Sequence, residues 1–150
     1  MSLEDIIPHI TDSEYAYRWT LRIGNADIMI HRIADNYDAY HWAMNIGNAD
    51  IMIDHVTNSE YAYWWAMNIG NRDVMIHRIT ESEYAYYWAR HVGNQDVMIQ
   101  RITDSEYAYR WAYYIGNQDI MTAKFPELKK RLAQSHFICY DYYINQQESY

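Results

Sequence analysis

Five aspartates recur at one spacing, Asp27, Asp50, Asp73, Asp96 and Asp119, each 23 residues after the last. Carboxylates in such a register are what an acidic catalytic groove or a calcium site would use. Trp19, Trp42, Trp65, Trp88 and Trp111 repeat with the same period, and rows of indoles can stack bases or other flat ligands. A third offset carries His31, Asp54, His77, Gln100 and Ala123, of which three are zinc-ligand types. The single cysteine, Cys139, has His136 three residues before it, a helical spacing that would let an imidazole activate a thiolate.

Each chemistry meets a simpler physical reading. Side chains 23 residues apart in a repeat array stand roughly 10 Å from one another, too far to share one ion. The aspartates fall where a helix begins, and a carboxylate there offsets the helix dipole. The tryptophans are flanked by alanines, which favours packing between helices. Cys139 lies in an aromatic terminal segment and reads as a buried apolar residue. The chain has no phosphate-cradling Gly-x-x-x-x-Gly-Lys run, no nucleophile elbow and no H-E-x-x-H pair. No enzyme activity, cofactor or metal is therefore expected.

The elements that carry these ladders come from internal repetition. Gly24, Gly47, Gly70, Gly93 and Gly116 are each followed by Asn, and five contiguous units cover 11–125. Within the fourth, Thr80 and Glu83 have the spacing of a capping box, which recurs at Thr11/Glu14, Thr57/Glu60 and Thr103/Glu106. The second unit has Ala34 and Tyr37 instead, so its helix start is expected to be weaker or shifted onto Asn36. A helix of about eleven residues then runs to Val92. Gly93 fits a left-handed terminus, and Asn94 is expected to cap a second helix of about two turns ending near Ile102. Ala85, Trp88, Ala89 and Val92 recur at i, i+3, i+4 and i+7, an apolar stripe of helical rather than strand period.

The fold class that follows is all-α: a single α-solenoid domain of five two-helix repeats, forming a curved rod about 50 Å long. Residues 1–10 form an N-terminal cap resembling a lone second helix. Residues 126–150 form a C-terminal helical cap, with Pro126 at the first helical position and the aromatic stretch 137–144 across the last open face.

The run Asp104-Ser105-Glu106, followed by Ala112, Ile115 and Gly116, resembles the D-x-x…A-x-x-L-G core of short HEAT-like repeats. The unit is more compact than theirs and is similar in length to leucine-rich-variant repeats. The resemblance spans 11–125 and is one of architecture. It implies a binding scaffold and carries over no catalytic residue.

Positions that differ between units are the better guide to function. One offset holds Arg18, His41, Trp64, Tyr87 and Arg110, and three residues later stand Leu21, Met44, Met67, Arg90 and Tyr113. The next offset holds Arg22, Asn45, Asn68, His91 and Tyr114, so all three share one helix face. Such an apolar, aromatic flank marks a protein contact, with another protein or with a second copy of this chain. Tyr17, Tyr40, Tyr63, Tyr86 and Tyr109 lie beside it, either bonding the next unit's backbone or adding contact area.

The formal net charge is -8, and the second unit has four aspartates and neither Lys nor Arg. Without a basic stripe, direct binding to nucleic acid is not expected. An acidic rod could instead occupy the nucleic-acid site of another protein as an inhibitor, and a homo-oligomeric structural role is a further alternative. No apolar run approaches the roughly 20 residues that span a bilayer, and the opening residues lack a basic leader. The expectation is a soluble, cytoplasmic, tyrosine-rich interaction module: a scaffold, adaptor or inhibitor.

Overall fold

The computed structural model describes residues 2–135, and every regular element among them is helical. The chain divides into two compact units, one ending at Thr80 and the other beginning at Glu81.

Every repeat contains a ten-residue helix: Ser13–Arg22, Asn36–Asn45 and Ser59–Asn68 in the first unit, Ser82–His91 and Ser105–Tyr114 in the second. The caps stand one residue later than the capping-box reading placed them. Asp12, Asp35, Asn58 and Asp104 accept the backbone N–H three residues on, while Glu81 makes no side-chain cap. The second repeat is thus capped as well as its neighbours, because Asp35 supplies the acceptor that Ala34 lacks. Its Asn36 is the first helical residue and serves a different bond, described below.

The threonines are not caps, because their backbone amides belong to an adjoining repeat. Asn36 Oδ1 accepts the Thr57 N–H at 2.6 Å, and Ser59 Oγ accepts that of Thr80 at 2.9 Å. In the second unit Ser82 Oγ accepts the N–H groups of Thr103 at 2.8 Å and Asp104 at 3.1 Å. One hydroxyl or carboxamide at the start of a long helix therefore holds an amide 21 or 22 residues further on in the same unit.

Each long helix ends on a Gly-Asn pair with two positive φ angles. Gly93 has φ +120, a value that L side chains rarely adopt, and an added Cβ there would meet nothing within 4 Å, so glycine is required by conformation alone. Asn94 follows in the left-handed region at φ 53 and makes no side-chain cap. Its carboxamide instead accepts from the Trp88 indole at 3.5 Å, as Asn71 does from Trp65 and Asn117 from Trp111.

The second helix is shorter than its pattern suggests. Ala26–Met29, Ala49–Met52, Arg72–Met75 and Gln95–Met98 are single α-turns that tighten into 3-10 turns ending at Arg32, His55, Arg78 and Arg101. In the fifth repeat the helix stays α over Gln118–Lys124. The tighter turn leaves carbonyls exposed to an arginine of the next repeat: Arg78 donates to Ile53 O and, at 2.6 Å, to Val56 O. Arg32 does the same to Ile7 O and Ile10 O.

Those last acceptors lie in the opening segment, where Leu3–Ile6 and the 3-10 turn Ile7–His9 reproduce the second half of a repeat. At the other end, a helix covers 128–135 and buries Leu128 and Leu132. Pro126 sits in the turn before this helix rather than at its first position. The aromatic stretch 137–144, Cys139 and His136 lie outside the described residues.

Trp42, Trp65, Trp88 and Trp111 are fully buried with Met29, Met52, Met75, Met98 and Met121, while Trp19 is half-buried. Consecutive long helices touch inside each unit, and Ala16, Ala39 and Ala62 in the first and Ala85 and Ala108 in the second are fully buried. No helix among the described residues is long and apolar enough to cross a membrane.

Candidate functional site

The aspartate ladder lies in the first turns of the short helices and is exposed throughout. His31, Asp54, His77, Gln100 and Ala123 are also exposed, and no three His, Cys, Asp or Glu side chains converge among the described residues.

The variable offsets fall on the outer side of the long helices. In the first unit Leu21 is 52%, Met44 46%, Trp64 43% and Met67 39% exposed. Leu21, Met44 and Met67 have no polar group to explain their exposure, and each comes from the helix turn that precedes a Gly-Asn break, while Trp64 stands one turn before Met67. Arg18 is exposed and pairs with Glu14 one turn back. His41 is half-buried among tyrosines, its ring 4.2 Å from Tyr37 and 5.1 Å from Tyr40 between centroids. Burial lowers the His41 pKa below its usual value, which keeps the imidazole neutral at neutral pH.

In the second unit Tyr87, Arg90 and Arg110 meet around a hollow of about 590 Å³ whose other walls are Tyr86, Glu106, Tyr109 and Tyr114. Arg90 donates to the Tyr86 hydroxyl at 3.0 Å and lies 5.3 Å from the Tyr114 ring centroid. Arg110 bonds Glu106 at 3.2 Å and stands 5.2 Å over the Tyr107 ring. Tyr113 is not among the lining residues; it is exposed beside them, 4.8 Å from Tyr114. Stacked guanidinium groups of this kind keep their in-plane donors available at their edges while the faces rest on rings.

Electrostatics around the hollow follow from these pairings. Arg131 at 2.7 Å and Arg110 hold the Glu106 carboxyl below its ordinary pKa. Burial, with the neighbouring Glu83 carboxylate as acceptor, pushes the Tyr107 phenol up to about 12. Tyr107 is therefore a hydroxyl donor and not a nucleophile.

Two members of the tyrosine ladder, Tyr17 and Tyr40, bond a side chain of the next repeat. Tyr17 OH accepts from Asn45 Nδ2 at 2.9 Å and Tyr40 OH from Asn68 at 3.0 Å. Two of the variable residues beside the predicted set thus tie repeats together. Sequence reasoning missed this pairing, and also the backbone-binding arginines and the serine links. Their signal was present as invariance: Ser at the third position and Arg near the end of most units.

One buried carboxylate was also overlooked. Asp38 occupies the offset that holds tyrosine in the other four repeats, is 2% exposed, and has a buried Oδ1 without a partner. Burial first, then the adjacent Asp35 carboxyl, raises its pKa to about 6.

Comparison of the chain with protein-family models, with curated proteins and with solved structures returned no match.

Proposed function

We propose that the chain is a protein-interaction module, an α-solenoid of HEAT-like architecture whose variable long-helix positions contact a partner protein. The observation that carries this reading is the exposure of Leu21, Met44 and Met67 at equivalent positions of successive helices, with Trp64 exposed one turn before Met67. Leaving four large apolar side chains in water forfeits roughly 1 kcal/mol or more each, a cost that a partner's surface removes. The solenoid reading is supported by links that repeat from one helical pair to the next, the Ser82–Thr103 and Tyr17–Asn45 bonds among them. In the second unit Arg90 and Arg110 add charged donors among tyrosines, the residue mixture found at binding hot spots.

The experiment is affinity capture on the full chain, with Met44→Glu/Met67→Glu and Tyr87→Ser/Tyr113→Ser as paired variants. Wild type is expected to retain a stoichiometric protein that both variants lose while their circular dichroism melts stay unchanged. Equal retention of the same protein by both variants refutes the assignment of this face.

A further inference from the structure

We propose that Asp35, Asp38 and Ser13 form a proton-operated latch between the first and second repeats, closed while the two carboxyls share one proton and loosened when that proton leaves.

The second repeat departs from the others at two adjacent positions. Its fourth and fifth residues are Tyr37 and Asp38, where the other four repeats have glutamate and then tyrosine. Glu14 and Glu60 at the fourth position are exposed, whereas Asp38 at the fifth is buried. Side chains at the fifth position meet the preceding long helix: the Tyr61 ring stands 5.8 Å from that of Tyr40, and Tyr107 6.0 Å from Tyr86. Asp38 therefore carries a carboxyl into the contact between the helices Ser13–Arg22 and Asn36–Asn45.

Hydrogen-bond donors are few at that contact. The Asp35 carboxyl and the Ser13 hydroxyl both lie within bonding reach of Asp38. Asp35 Oδ1 already accepts the Asp38 N–H at 2.8 Å, and Ser13 Oγ accepts the Ala34 N–H at 3.2 Å. Ser13 thus brings one hydrogen to two carboxyls, and the buried Asp38 Oδ1 receives no hydrogen bond. A proton on Asp38 supplies the missing donor, as an O–H···O bond to Asp35. Without it, two carboxylates face each other across the joint.

No Lys or Arg offsets that repulsion, since the second repeat contains neither. From the helix before, Glu14 adds a further negative charge, itself paired with Arg18. From the helix after, the Tyr61 phenol faces both carboxyls. The same helix carries Tyr37 and His41, whose imidazole is kept neutral by burial. The short segment 49–55 packed on it adds the exposed Asp50 and Asp54 and the half-buried His55. Burial first, then Asp35, accordingly raises the Asp38 pKa to about 6, which sets the working range of the latch.

The next joint in the same unit is the internal comparison. Asn36 there accepts the Thr57 and Asn58 amides at 2.6 and 3.0 Å, and Tyr61 stands in place of the buried acid. Both joints also carry a tyrosine–asparagine bond, Tyr17–Asn45 in the first and Tyr40–Asn68 in the second.

Amide hydrogen exchange on the full chain, divided by the intrinsic rate at each pH, tests the latch. The closed joint holds the proton more tightly than the open one, so protection is complete below about pH 4 and is lost as pH rises through about 6. Between about pH 4.5 and about pH 7.5, protection of Ala34 and of the helix amides 17–22 should fall roughly three- to twentyfold. Protection of Thr57 and Asn58 should stay level. Asp38→Asn should remove the fall, and so should Asp38→Tyr, which restores the residue of the other repeats; circular dichroism shows which variant folds. The proposal is overturned if protection at the first joint does not change with pH, or if Thr57 and Asn58 lose it by the same factor. It is also overturned if a folded Asp38 variant keeps the fall.

Discussion

Replacing Asp38 by Asn should stabilise the protein at alkaline pH and leave it nearly unchanged in mild acid. The wild-type carboxyl is 2% exposed, one oxygen has no partner, and its pKa is raised from 3.8 to about 6. Burial disfavours the charged form, and the neighbouring Asp35 carboxylate is better matched by a donor than by a second anion. Between these two pH values the folded chain holds a proton that the unfolded chain releases, so stability falls as pH rises from about 4 to about 6. A two-unit shift corresponds to about 3 kcal/mol. Water reaches the Asp35 side of the pair, which reduces the retained penalty to about 1–2 kcal/mol. Asp35 has the opposite sign: its lowered pKa stabilises the fold above about pH 4 and that contribution is lost in stronger acid. Asn keeps the shape of Asp38 and donates permanently to Asp35. Urea unfolding of both proteins at about pH 4.5 and about pH 8 measures the effect. The variant should gain about 1–2 kcal/mol at the higher pH and less than about 0.5 kcal/mol at the lower. An equal difference at the two values, or a less stable variant in alkali, refutes the ionisation argument.

Trp88→Ala removes a fully buried indole and should cost about 3–5 kcal/mol in urea unfolding, since the surrounding helices can close the cavity only partly. A folded variant with a small loss would show that Trp88 is not a packing residue. Ser82→Ala leaves the Thr103 and Asp104 amides without their acceptor and should cost about 1–3 kcal/mol. The matching control is Ser105→Ala, whose side chain is exposed, and equal losses at the two serines would dismiss the inter-repeat link.

Much of the local structure was legible because repetition amplifies it. Five superposed copies make a Gly-Asn pair stand out as a helix break and an i, i+3, i+4, i+7 stripe as a buried face: Ala85, Trp88 and Ala89 are buried, and Val92 is half-buried. The positions chosen as a variable face, such as Leu21 and Met67, are exposed on the long helices. Their grouping was less legible. Tyr87, Arg90 and Arg110 share one hollow, but Tyr113 stands beside it and His41 is enclosed by tyrosines.

Sequence by itself determined helical type, period and the conformational demand at each break, because these depend on neighbours within a few residues. It misplaced the caps by one position, since Thr103 and Asp104 look equally able to accept an amide. Tertiary structure decided that choice in the fifth repeat: Ser82 takes the amide of Thr103 from 21 residues away and Asp104 caps, while Ser59 takes the amide of Thr80 and Glu81 makes no side-chain cap. The same holds for Arg78, which reads as a surface cation until the carbonyls of Ile53 and Val56 are brought to it. Asp38, too, looks like a solvated carboxylate until packing withdraws it from water. A buried polar group must find its partner wherever the fold supplies one, and that partner's identity is carried by distance in space rather than distance along the chain.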